Sequence, residues 1–482
     1  MITTLETDTL APFGVSASTG RPLADLSDTA VKAMLAAELE SGPDRLALSE
    51  RADSSTASFA VIGEVDSSDL GQSGWGVIFA PGIDPAVRQA LEPLLEHRRA
   101  QAAPFAIYEG ADGFRPGETT AVWLDRQGVR MDVVDPAKGV PYYLLIVAPP
   151  DVIPFEFQYS LDIYWAVGRL WFDSADEFRQ YADSVIQYET MSAVPTSRSV
   201  ALFATEHDFD NATQLFTKHV VRPLADGEGE TPIPVGKRQE FGLQTYLGEA
   251  ATKAALANVL RGMDGGAPSL LFSGSHGMQF ELGDPRQSAG QGAIVCQDWA
   301  GFGDIAEQHW FAGSDLPADA KVHGLMHVLF ACHGGGCTEL DNFDHLADQP
   351  RRIAEKPFFS KLPQKMLSHP NGGALAVLAH IERAWTYSFK GDKGGSQTQG
   401  FRDVIGRLLR GERIGQATDV FNTRWAALST ELADRHLDLK HGSEVSLKAL
   451  GRLWVARDDA RNFLILGDPA VRLRVEDLPK PV

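Results

Sequence analysis

The chain has 482 residues, 44% of them hydrophobic, and a formal charge of −20, which is room for two or three packed domains. The excess of carboxylates opposes a general role on nucleic acid or anionic lipid, because phosphate binding needs a basic face. Three cysteines cannot build a disulfide framework, so a reducing compartment, the cytoplasm, is expected and each thiol is judged on its own neighbours. The opening MITTLETDTLAPFG has neither a basic stretch nor an apolar segment, and no later apolar run approaches the roughly 18 residues of a membrane span. Neither export nor membrane insertion is expected.

Residues 1–70 are rich in small and polar side chains, with one helical pattern at Asp28 to Leu39, and read as an accessory or leader segment. From residue 71 short apolar runs alternate with amphipathic helical patterns, as in a parallel sheet with crossover helices. The candidate strands are Gly76 to Ala80, Tyr142 to Ala148, Val200 to Ala204, Ser269 to Ser273, His327 to Ala331 and Ala374 to Ala379. Asp84 as N-cap and Pro85 after it open a helix that places Val87, Leu91, Leu94 and Leu95 on one face. Ser174 and Glu177 form a capping box ahead of Phe178, Ala182, Val185 and Ile186. Phe401, Val404, Ile405 and Leu408 repeat the helical spacing, and ADGEGETPIPVGKRQ, residues 225–239, has no period and is expected as an exposed loop.

Two of the strands end in reactive residues, and in open parallel sheets such residues collect at the carboxyl ends, facing a shared crevice. SLLFSGSHGM carries His276 and Gly277, and HVLFACHGGGC carries Cys332 and His333. A thiol and an imidazole suffice for acyl transfer, the thiolate attacking a carbonyl and the imidazole protonating the leaving amine. The backbone N–H groups of Gly277 and Cys332 are the expected oxyanion donors. Two other readings stay open: Cys332 as a buried core cysteine, and a zinc site built from Cys332, His333, Cys337 and His276. Adjacent Cys and His residues at a strand end converge poorly on one ion, and paired CxxC knuckles are absent. Cys337 then reads as a bystander and Cys296 as buried.

An apolar strand ending in His-Gly followed by one ending in Ala-Cys resembles the caspase-like cysteine peptidases, which include caspases, gingipains, clostripain, separase and the bacterial CHAT proteins. The likeness is greatest to gingipains. It runs over about residues 140–475, through YYLLIVAPPDVIPF, DIYWAVGRLWFDSADEFRQYADSVIQYE, GGALAVLAHIERAW and LILGDPAVRLRV in that order. It implies an α/β fold of mostly parallel sheets flanked by helices, as two tandem caspase-like subdomains: a non-catalytic one over 71–195 and a catalytic one over 196–482. It makes Cys332 the nucleophile and His276 the general base and acid, with no third side chain required. It also implies a primary pocket for Arg or Lys, with Asp162, six residues before Gly168-Arg169, at its base and Trp385 as its wall. Glu382, Asp298 and Asp341 are rival acids.

These residues lead to the expectation of a cytoplasmic bacterial cysteine endopeptidase in a regulatory or defence pathway, acting on protein or peptide with a basic residue before the cut. No metal or cofactor is needed for that chemistry. A latent form cut at Arg238 or Arg352, by the enzyme itself or by an upstream protease, is a corollary. The alternatives are a catalytically silent scaffold that binds a partner protein and an amidase acting on small amides. An open groove would favour peptides and a closed cavity the small amide.

Overall fold

The computed structural model describes residues 12–23, 42–53, 61–229, 232–263, 265–301, 305–346, 349–389, 398–441 and 446–480. The helix expected at Asp28 to Leu39 lies outside them. Among the described residues no helix is long and apolar enough to cross a membrane.

In chain order the strands are β1 (Gly14–Ser16), β2 (Arg21–Pro22), β3 (Trp75–Phe79), β4 (Phe105–Tyr108), β5 (Tyr143–Val147), β6 (Ala166–Leu170), β7 (Ser197–Ala204), β8 (Gly242–Leu247), β9 (Pro268–Gly274), β10 (Gly277–Gln279), β11 (Ile294–Val295), β12 (Trp310–Phe311), β13 (Met326–Phe330), β14 (Gly336–Cys337), β15 (Leu340–Leu346), β16 (Gln349–Arg352), β17 (Phe358–Phe359), β18 (Ala376–His380) and β19 (Phe463–Gly467). Ten of them form one sheet in the order β4-β3-β5-β6-β19-β18-β13-β9-β7-β8. β3 to β6 run parallel to one another. So do β7, β8, β9, β13 and β18. β19 is antiparallel to β18 and parallel to β6, which joins the two sets. The expected boundary at 195/196 falls in the connection between the helix Ala175–Thr190 and β7.

All six strands anticipated from the sequence are present, each within three residues of its expected ends. β4, β6 and β8 were not anticipated. β6, AVGRL, carries a charge in its middle, and the fold absorbs it. The fully buried Arg169 donates to the carbonyls of Ile153 (2.7 Å) and Pro154 (3.1 Å) and lies over the Phe155 ring. β8 is an edge strand whose polar Gln244 and Thr245 hide its pattern. The helix opened by Asp84 is two helices, Pro85–Ala90 and Glu92–Arg99. Pro93 has no N–H to continue the first and starts the second. The segment 225–239 is largely irregular, although a helix, Arg222–Asp226, runs into it and Lys237–Gln239 make one 3-10 turn. Arg351 and Arg352 belong to β16, which pairs with β15.

One apolar core runs through both strand sets. Asp468, in the Leu-Gly-Asp-Pro turn, locks them together. It accepts from Trp75 Nε1 (2.9 Å) and Arg98 Nε (2.7 Å), while its own amide donates to the Tyr181 hydroxyl (2.6 Å). Arg98 in turn makes a two-pronged ion pair with Glu189 at 2.7 Å.

The described parts of the first 70 residues are docked rather than apart. The helix Gly42–Asp53 packs on Asp419–Lys440 through a buried ion pair, Arg51 to Asp419, at 2.6 Å. β1 and β2 complete a five-stranded sheet of order β12-β11-β10-β1-β2. In it β1 runs parallel to β10, pairing Gly14 with Gly277 and Ser16 with Gln279.

Candidate active site

β9 and β13 are paired neighbours in parallel register, Gly274 opposite Phe330, so the residues that follow each strand emerge side by side. The Ser275 amide donates to the Phe330 carbonyl (3.1 Å), holding the two exits together. A Cβ at position 277 would stand 1.9 Å from the Cys332 carbonyl oxygen, so only glycine allows this approach. His276 and Cys332, expected as a pair, are thus delivered to one place by strand pairing alone.

The His276 ring is fully buried, and its Nε2 lies 2.8 Å from a carboxylate oxygen of Asp210. Nδ1 is buried with no hydrogen-bond partner among the described residues. Asp210 was missed from the sequence. It follows β7 and caps the helix Asn211–Phe216, accepting the amides of Ala212 (3.3 Å) and Thr213 (2.9 Å). Burial works against its charge, but the facing His276 and the Thr213 hydrogen bonds hold its carboxyl well below the ordinary range. An acid at the carboxyl end of a third strand was the available signal, though a helix cap accounts for it equally well in sequence. Beside it, His207 is pushed down to about 4 by burial and then by His276.

Cys332 is fully buried beneath residues 12–14. The carbonyl of Phe13 accepts two amides at once, Gly277 N–H at 2.8 Å and Cys332 N–H at 2.9 Å. These are the two donors anticipated from the strand ends. The Phe13 amide donates to the Ala384 carbonyl (2.8 Å), and Pro12 forms an antiparallel bridge with Trp385. A Cβ on Gly14 would lie 3.2 Å from the Cβ of Cys332 and 2.5 Å from Leu23 Cδ1. The Phe13–Gly14 peptide group therefore lies directly against the cysteine, with chain on both sides of it in extended form. The thiol accepts the Ala384 amide (3.3 Å) and sits 3.6 Å from the Ala384 carbonyl. Burial pushes it up to about 12, against smaller opposing effects of the Ala384 amide and Arg383.

The other anticipated residues fall elsewhere. Asp162 ends the helix Phe155–Asp162, buried beside Gln158, Val167 and Arg169, and burial raises its carboxyl well above the ordinary range. The strand it leads into, β6, is three places from β13 in the sheet, about 14 Å at ordinary spacing. Trp385 meets the segment through its backbone, while its ring packs on Phe343 (5.3 Å) and is not among the rings around Phe13. Asp341 is paired with Arg383 (2.6 Å), and Asp298 accepts the Lys253 amide (2.6 Å). Cys337 and Cys296 are buried. His333 is buried with φ of 57°. Among the described residues no three His, Cys, Asp or Glu side chains are grouped to hold a metal ion.

Glu382 is fully engaged by the protein. Its carboxylate accepts from Thr338 (3.1 Å), Asn342 (2.8 Å) and Asn462 (3.0 Å), and burial pushes it up to about 7. The folded chain therefore keeps this proton to higher pH than the unfolded chain, whose carboxyl has the ordinary value of 4.5. Stability from this group is full below about 4.5 and is lost as pH rises through 7, by on the order of 3 kcal/mol. Glu382→Gln mimics the protonated form and can donate to Asn462 once that amide turns over. Denaturant melts at pH 5 and pH 8 should show the variant losing less stability than the wild type between them; equal losses would refute this account.

The family model of Peptidase family C25 matches residues 78–474. No curated protein matches the chain. Among solved structures, the complex of Porphyromonas gingivalis RgpB pro- and mature domains is similar at 12% identity and a TM-score of 0.50, over 83% of this chain and 80% of that one. The Arg specific cysteine proteinase gingipain R (RGPB) is similar at 12% identity and a TM-score of 0.49, over 85% and 80%. The family match spans most of the chain and includes both reactive strand ends, so this protein belongs to peptidase family C25 and is a cysteine endopeptidase.

Proposed function

We propose that Cys332 is the nucleophile of this peptidase and that the chain's own residues 12–23 hold it latent. Cys332 Sγ attacks the carbonyl carbon of the bond to be cut, and His276 Nδ1 takes the thiol proton and passes it to the leaving amine. Asp210 orients the ring by accepting Nε2–H. The amides of Gly277 and Cys332 stabilise the oxyanion. Water then hydrolyses the thioester. The observation that carries this reading is the Phe13 carbonyl, a peptide group lying on both amides at 2.8 and 2.9 Å with the cysteine against its following bond.

Residues 12–16 run extended past both Trp385 and β10, a seat shaped for polypeptide rather than for a small amide. Activation requires that segment to leave. Beyond the cysteine a cavity of about 530 Å³ is lined by Ser16, Arg21 and Leu23 on one side and by Arg351, Arg352 and Arg383 on the other. A cut by an upstream protease after Arg352 would loosen this wall, whereas the exposed Arg238 lies on a separate turn. Latency of this kind suits a regulatory or defence protease, and three unpaired cysteines suit a reducing compartment such as the cytoplasm.

The test is hydrolysis of a dye-labelled unfolded protein by the chain whose covering segment is released through Phe13→Asp, with and without iodoacetamide, and by the same chain carrying Asp210→Asn. Alkylation should stop hydrolysis as the label appears on Cys332. The amide variant should lower kcat by about 10–100-fold with little change in KM, since Asn still accepts Nε2–H but no longer stabilises the imidazolium. Hydrolysis that survives complete labelling of Cys332 would overturn the reading.

A further inference from the structure

The resemblance suggests a pocket for Arg or Lys, but the side chain of residue 13 points to another substrate class. Phe13 is fully buried. Its ring meets Phe330 at 4.8 Å, Phe216 at 5.6 Å and Phe389 at 5.9 Å, all edge to face, with the His276 ring at 5.8 Å. These phenyl rings come from three separate places: the end of the helix Asn211–Phe216, the end of β13, and the residue after the turn Thr386–Ser388. They also pack on one another, Phe216 stacked on Phe330 at 4.9 Å and edge-on to Phe389 at 5.4 Å. The lining is thus a built aromatic box, and it lies beside the amide pair that receives the Phe13 carbonyl.

Taking Cys332 as the nucleophile, we propose that this box is the pocket for the side chain preceding the cut bond, and that the enzyme's substrates are polypeptides cut after phenylalanine. Edge-to-face contact on three sides rewards a flat ring over a branched aliphatic chain. A guanidinium or ammonium in the same place would face phenyl rings instead of a carboxylate. The rings that surround Phe13 offer a tyrosine hydroxyl no partner other than the His276 imidazole, which catalysis needs. The residue following the cut must be small where the segment presses on the cysteine, as Gly14 is.

The experiment uses the full-length Phe13→Asp chain, in which the segment loses its anchor, with Phe13→Ala as a second variant should the first fail to fold. Internally quenched peptides containing Ala-Pro-X-Gly, with X as Phe, Tyr, Leu, Arg or Lys, are compared by kcat/KM. In parallel, Ala-Pro-Phe and Ala-Pro-Arg aldehydes are tested for protecting Cys332 from iodoacetamide. Phe should exceed Leu by about tenfold and Arg by at least about 100-fold, and the Phe aldehyde should protect at lower concentration. Preference for Arg or Lys in either assay overturns the pocket while leaving the peptidase reading intact. Protection by the Phe aldehyde without hydrolysis of any peptide supports the pocket and overturns the turnover reading. Protection by neither aldehyde overturns the pocket.

Discussion

In the chain released through Phe13→Asp, replacing Cys332 with alanine should lower peptide hydrolysis by at least about 10⁴-fold, to the level of a chain that retains only binding and the oxyanion donors. The substitution removes one sulfur atom whose hydrogen bonds run to the Ala384 backbone, through its amide at 3.3 Å and its carbonyl at 3.6 Å. Cys332 ends no ion pair and closes no disulfide, so thermal stability should fall only by the small cost of a cavity of that size. The discriminating comparison is Cys332→Ala against Cys337→Ala. Both thiols are fully buried within the same eleven-residue stretch, and a purely structural role for Cys332 would give the two variants similar, modest losses. Activity within tenfold of the released parent chain for Cys332→Ala would remove the nucleophile assignment.

The second large effect runs in the opposite direction. Phe13→Asp in the full-length chain should raise the rate at which iodoacetamide alkylates Cys332 by about 100-fold or more. Two physical changes act together. A carboxylate in the aromatic box faces three phenyl rings and a His276 imidazole already paired with Asp210, and a poorly paired buried charge costs several kcal/mol, so the population with residues 12–23 displaced rises by orders of magnitude. In that population the thiol regains solvent and its pKa falls from about 12 toward the ordinary thiol range, which raises the reactive thiolate fraction at neutral pH. Peptide mapping by mass spectrometry separates Cys332 from Cys296 and Cys337, whose labelling should not change. An unchanged rate at Cys332 would show that the segment does not guard it.

The strand ends were legible because chemistry and pattern coincide there. An unbroken apolar run predicts a buried strand, and the first polar or reactive residues after it, His276 and Cys332, must then lie on the sheet's edge. β13 and β9 proved to be neighbours, which no periodicity could have stated. Asp210 was hidden because its cap duty on Asn211–Phe216 explains it without reference to His276, sixty-six residues away. Asp162 shows the limit of local spacing: its distance to Gly168-Arg169 can be read along the chain, whereas the grouping of Phe216, Phe330 and Phe389 around Phe13 cannot. Pro12-Phe13-Gly14 sits in a stretch of small and polar residues with no period. What makes it important is the set of donors waiting for it, supplied by residues 277 and 332.

The position of β19 bears on how the molecule is made. This strand, Phe463–Gly467, is the last in sequence and yet lies fifth in the row of ten, between β6 and β18. During synthesis, therefore, the two sets of strands can each begin to pair, but the seam between them stays open until residues 463–467 have emerged. Pairings between distant residues also form slowly, since the closure entropy is met before the contacts that offset it. By then the first two dozen residues have long been available. The guard over Cys332 appears well before the strand that closes the sheet around the site. A nascent chain would thus pass through no stage in which a finished catalytic centre exists without its cover, and a chain interrupted before residue 463 would lack the middle of its sheet.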